Sequence, residues 1–131
     1  MNVERMKATM TATAQGKLSF PEVVGRLLEE GVESYRVDFQ RMEETFYAID
    51  GQTHTEKMAF ALMPIAQDFD VQAVQAAIGD SQAGIQAFPE FATRVMQAGT
   101  AGYIAYLHGQ RVLYLGRNGG YHMEYFPGTH P

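Results

Sequence analysis

The chain has 131 residues, a net charge of −5 and no cysteine. Disulfides and thiolate metal sites are therefore excluded, while the length is enough for one domain to bury a core unaided. Its 10 basic residues face 15 acidic ones and form no stripe in either half, so no nucleic-acid partner is expected. No apolar run approaches the roughly 20 residues that span a bilayer, and residues 1–14 are polar and amphipathic rather than signal-like. These features point to a cytoplasmic protein with no membrane partner and no cofactor.

Val3, Met6, Met10 and Ala14 mark one face of a first helix, which Gly16 ends. A second helix starts at Pro21, a residue suited to a first helical turn. Glu22 complements the helix dipole there, and Val23, Val24, Leu27 and Leu28 form the apolar face up to Gly31. A strand then alternates, with Tyr35, Val37 and Phe39 on one side and Ser34, Arg36, Asp38 and Gln40 on the other. Thr45–Ile49 is a second strand, Asp50-Gly51 a tight turn and Thr53–Met58 a third strand. The connection after it holds Phe60, Leu62, Met63, Pro64 and Ile65. Flexible linkers are not composed this way, so it should pack against the domain.

The same unit then recurs at a constant offset of 68. Val3, Ala8, Gly16 and Phe20-Pro21-Glu22 fall on Val71, Ala76, Gly84 and Phe88-Pro89-Glu90. Arg26, Gly31, Tyr35, Gly51, His54 and Glu56 fall on Arg94, Gly99, Tyr103, Gly119, His122 and Glu124. The second copy has Asp68 or Asp70 as the helix N-cap and Val71, Val74 and Ile78 on the first helix face. Phe91, Val95 and Met96 follow on the second helix. Its first strand is apolar on both sides, Tyr103, Ala105 and Leu107 against Ile104 and Tyr106, which predicts a covered, central position. Val112–Leu115, an Asn118-Gly119 turn and Tyr121–Phe126 complete it. The expected fold is α+β: one domain over 1–131, repeats 1–58 and 69–126 joined by a packed connection at 59–68, and an antiparallel sheet with helices on one face. Pairing would bury a sheet edge and a helix face of each unit.

His54 and Glu56 share one face of a strand, as do His122 and Glu124. Each pair is a candidate to move a proton or orient a ligand. Packing about a pseudo-twofold axis offers a further possibility, convergence into a two-histidine, two-carboxylate metal site, although no metal is the primary expectation. The plain alternative is an exposed polar strand face kept by duplication. Tyr121, Met123 and Tyr125 look like the core side of the last strand, which would put His122 and Glu124 toward solvent or a groove. Arg117, in the turn before that strand, is a candidate anion anchor or simply a solvated arginine. Tyr35, Tyr47, Tyr103, Tyr106, Tyr114 and Tyr121 either line a pocket or pack in the sheet. No serine stands in a nucleophile-elbow context.

The segments FPEVVGRLLEEGVESYRVDF, TFYAIDGQTH and AGYIAYLHGQRVLYLGRNGGYHMEYFP together resemble a family of small bacterial and prophage-borne proteins of unknown function. This is the YdfO-like family, often labelled phage envelope protein. The resemblance covers nearly the whole chain. It implies a compact α+β fold and brings no catalytic residues. The leading expectation is a non-enzymatic module that holds a small molecule or a protein segment in a groove between the repeats. The rivals are an enzyme with His122 and Glu124 as acid–base groups and Arg117 as anchor, and a phage structural or accessory protein that self-associates, for instance as a homodimer.

Overall fold

The computed structural model describes residues 1–58 and 63–128, so Phe60 and Leu62 of the connection lie outside the described residues. Helix α1 (Val3–Ala14) starts where the Asn2 side chain accepts a hydrogen bond from the Arg5 amide. Helix α2 (Phe20–Glu29) begins one residue before Pro21. Ser19 caps it and Glu22 returns a bond to the Ser19 amide, a complete capping box. The second copy repeats the pair as α3 (Val71–Gln82), capped by Asp70 rather than Asp68, and α4 (Phe88–Gln97). Ala87 stands at the position of Ser19, so α4 starts without a side-chain cap.

Each helix pair is followed by three antiparallel strands. These are β1 (Val32–Asp38), β2 (Glu43–Ala48) and β3 (Thr53–Lys57), then β4 (Thr100–Tyr106), β5 (Arg111–Gly116) and β6 (Tyr121–Tyr125). The duplication is closer in the backbone than in the residues. Every pairing within β1–β2–β3 recurs in β4–β5–β6 at the same offset, including the bulge after Val32 and after Thr100. Met42 and Gln110, with φ of 52° and 56°, hold the same left-handed turn. Gly31 and Gly99 do the same just past α2 and α4, where only glycine adopts φ of 80° and 97° without strain.

The six strands form one sheet in the order β3-β2-β1-β4-β5-β6. Arg36 lies opposite Ile104, its own counterpart in the repeat. The pseudo-twofold axis therefore passes between them, and both first strands are central. The expected distinction between a central β4 and a less covered β1 does not hold. The outward apolar residues of β4 are not covered by helices; they belong to the sheet's open face. On the helix-covered face Tyr35, Val37, Phe39 and Phe46 are buried, as are Ala105 and Leu107. A fully buried side chain of this kind stabilises the fold by roughly 1.5–3 kcal/mol.

The helix layer is less symmetric than the sheet. Helix α1 leans on α4, whereas the equivalent approach of α3 to α2 is weaker. The connection breaks the symmetry too, and from Met63 onward it packs, as its composition predicts. The Ala66 and Asp70 amides donate to the carbonyls of Met96 and Ala98 at 3.1 and 2.8 Å. The Phe69 ring lies on Gly116 and Gly120. Among the described residues no helix is long and apolar enough to cross a membrane.

Candidate functional site

Alternation along a strand decides which side chains meet the helices. The β5–β6 register sets His122 beside Tyr114 and Glu124 beside Val112, and both partners are buried. His122 and Glu124 therefore face the helix-covered side, with side chains 15 % and 33 % exposed. The opposite face of β6 is not core: Tyr121 is 68 % exposed and Met123 only half-buried. The expected facing is thus reversed. Tyr121, Met123 and Tyr125 look like a core stripe because the open face of the second copy is itself rich in apolar residues.

Each His–Glu pair is bonded internally. His122 Nε2 lies 2.8 Å from Glu124 Oε1, and His54 makes the same contact to Glu56. The hydrogen bond from His54, reinforced by Lys7 at 3.5 Å, holds the Glu56 carboxyl below its ordinary range. The pairs do not converge. Strands β3 and β6 are the two edges of the sheet, five strand spacings or about 24 Å apart. Among the described residues no group of three or more His, Cys, Asp or Glu is placed to hold a metal ion.

Arg117 is engaged elsewhere. Its guanidinium donates to the Ile65 carbonyl at 3.1 Å, and Asn118 reaches the Gln67 carbonyl at 3.5 Å. The β5–β6 turn thereby clamps the inter-repeat connection. The tyrosines divide by face. Tyr47, Tyr106 and Tyr121 belong to the open side, where Arg36 sits over the Tyr47 ring at 5.9 Å. Tyr35, Tyr103 and Tyr114 belong to the helix side.

Those three rings form the floor of a cavity of about 500 Å³ between the sheet and the ends of the helices. Residues from both repeats line it in equivalent pairs: Thr13 and Ser81, Gly16 and Gly84, Phe20 and Phe88. The α1–α2 and α3–α4 loops meet above it, where a Cβ on Gly16 would stand 3.0 Å from that of Ala87. Beyond this symmetric part the cavity extends over the second copy only, along Val112, Tyr114, Glu124 and Phe126. In the first copy the matching side is shut, with Phe46 fully buried and stacked on Tyr35 at 5.8 Å.

The floor is polar at a few points only. Burial pushes the Tyr35 and Tyr103 phenols well above their ordinary range. Tyr114 is raised by burial as well, then by its neighbours Tyr35 and Glu124. All three therefore stay neutral at physiological pH. Behind the floor Glu44 is buried, and its Oε2 has no hydrogen-bond partner among the described residues. Burial, and then the charge of Glu56 opposite it, push its carboxyl up to about 7. In the second copy Val112 holds this position, facing Glu124.

Of the residues singled out by sequence, the cavity gathers Tyr35, Tyr103, Tyr114 and Glu124, with His122 bonded behind Glu124. It leaves out His54, Glu56 and Arg117. Phe20, Phe88 and Phe126 are the cavity's additions, and Glu44 is a further buried group behind its floor. Glu44 lies two residues before Phe46, so alternation carried one residue pair further along β2 would have found it. The phenylalanines are legible as repeat positions but not as cavity walls. No model of a known protein family matches the chain, and no curated protein sequence matches it.

Proposed function

We propose that the chain is a non-enzymatic binding module that holds a small, largely apolar molecule between its two repeats. One observation carries this: a cavity of about 500 Å³ lined by both repeats, with apolar walls and a few convergent polar groups. Ligand sites have this size and make-up. Aromatic walls supply contact area, and Tyr35, Tyr103, Tyr114 and Glu124 orient the guest. A second reading has one observation in its favour. Glu124 borders the cavity while bonded to His122, so a guest would meet an acid–base pair.

The test is a fragment screen by NMR on the wild type and on Ser81→Trp, whose indole would occupy the cavity from α3. Fragments should shift the ring signals of Tyr35, Tyr103 and Tyr114 and lose that effect in the variant. Absence of any such fragment, or unchanged binding to Ser81→Trp, would refute the proposal. Turnover of a bound molecule that disappears in His122→Gln would favour the enzyme instead.

A further inference from the structure

Resting on that cavity reading, we infer that the preferred guest is an organic cation: an apolar body carrying a protonated or quaternary amine. Tyr35, Tyr103 and Tyr114 form the floor, and Phe20, Phe88 and Phe91 stand around it. Tyr103 and Tyr114 lie 5.4 Å apart between ring centroids, and Phe91 sets an edge against Tyr114 at 6.3 Å. Aromatic faces carry negative potential, and a cage of them is the usual receptor for an ammonium group.

The charged lining residues decide the sign. Among the described residues there are two, Glu124 and Lys17. Lys17 is exposed in the α1–α2 loop and extends readily into water. Glu124 is part-buried on β6, and its Oε1 is bonded to His122. A carboxylate accepts at two oxygens, so Oε2 has capacity for a guest. A neutral apolar guest would strip water from this carboxylate and return nothing. An anionic guest would be repelled by it. A cation replaces the lost water with charge attraction to the carboxylate, to which a protonated amine adds a charge-assisted hydrogen bond. The phenols, held neutral by burial, add hydroxyl dipoles without adding charge. Copy one offers no such cage, because Phe46 fills the equivalent space.

Phenyltrimethylammonium and tert-butylbenzene have the same shape and differ in charge, so titrating each into the full chain tests the inference. Tyrosine ring shifts report occupancy of the cavity. The cation should bind roughly tenfold more tightly than its neutral isostere. Glu124→Gln should weaken cation binding severalfold and narrow that preference, with tert-butylbenzene bound no less tightly because it no longer strips water from a carboxylate, and Lys17→Gln should strengthen cation binding alone. Equal or weaker binding of the cation to the wild type overturns the inference and leaves the cavity reading standing. So does a preference that survives undiminished in Glu124→Gln. If neither probe moves the tyrosine signals, both the inference and the cavity reading fall.

Discussion

Replacing Glu44 by glutamine should abolish a pH dependence of stability that this one side chain creates. The carboxyl is buried beside Val37, faces Glu56 across β2–β3, and its Oε2 has no partner among the described residues. Its affinity for a proton is raised from an ordinary 4.5 to about 7. In the folded chain it therefore keeps its proton up to about pH 7, whereas in the unfolded chain it loses it near 4.5. Between those values the folded state binds the extra proton. The stabilisation is complete below 4.5 and is lost as the pH rises through 7. At about 1.4 kcal/mol per pH unit, the loss between pH 5 and 8 is about 2–3 kcal/mol, a large share of a typical 5–15 kcal/mol stability. Urea unfolding of the wild type and Glu44→Gln at both pH values measures it. Taking the difference between the two proteins cancels the other titrating groups. Among those, Glu56 acts in the opposite sense, because its depressed carboxyl contributes stability that is lost as the pH falls. The variant should gain about 2–3 kcal/mol on the wild type in going from pH 5 to pH 8. Glu44→Val, which installs the residue found at position 112, should gain in the same direction. A wild-type–variant difference that stays constant across this range would show that Glu44 is hydrated or paired in solution, and would refute the argument.

Two further perturbations exploit the duplication. Gly31→Ala should cost about 1–2 kcal/mol, the strain of a left-handed alanine, because a Cβ there meets only open space. Gly99→Ala should cost clearly more, since its Cβ would collide with the Asp68 carbonyl of the packed connection; equal costs in urea unfolding would mean that the connection moves aside freely. Ser19→Ala should destabilise by about 1 kcal/mol through loss of the α2 cap, and Ala87→Ser should recover a similar amount at α4, where Glu90 already stands three residues on. Unchanged melting temperatures for both would show that tertiary packing alone sets the helix starts.

The repeat, the order of helices and strands, the glycine stops and the facing of β1 were all legible in the sequence. Each depends on local chemistry: the 3.6-residue and two-residue periods, the proline and carboxylate of a first turn, and the φ that glycine alone tolerates. Tertiary structure decided the rest. The facing of β6 could not be read from its residues, because the apolar alternation of Tyr121, Met123 and Tyr125 imitates a core stripe. Only the position of the helices shows which side is covered. Sheet order, a property of strand pairing across the repeats, sent the two His–Glu pairs to opposite edges. Arg117 became a clamp because the connection passes under its turn. The cavity and the buried carboxyl of Glu44 arise where two copies of nearly one backbone pack differently. At matching positions Phe46 fills the space in one copy, while Tyr114 and Glu124 border an opening in the other. No local pattern encodes that opening, since it depends on how closely helices from distant parts of the chain approach one another over a shared sheet.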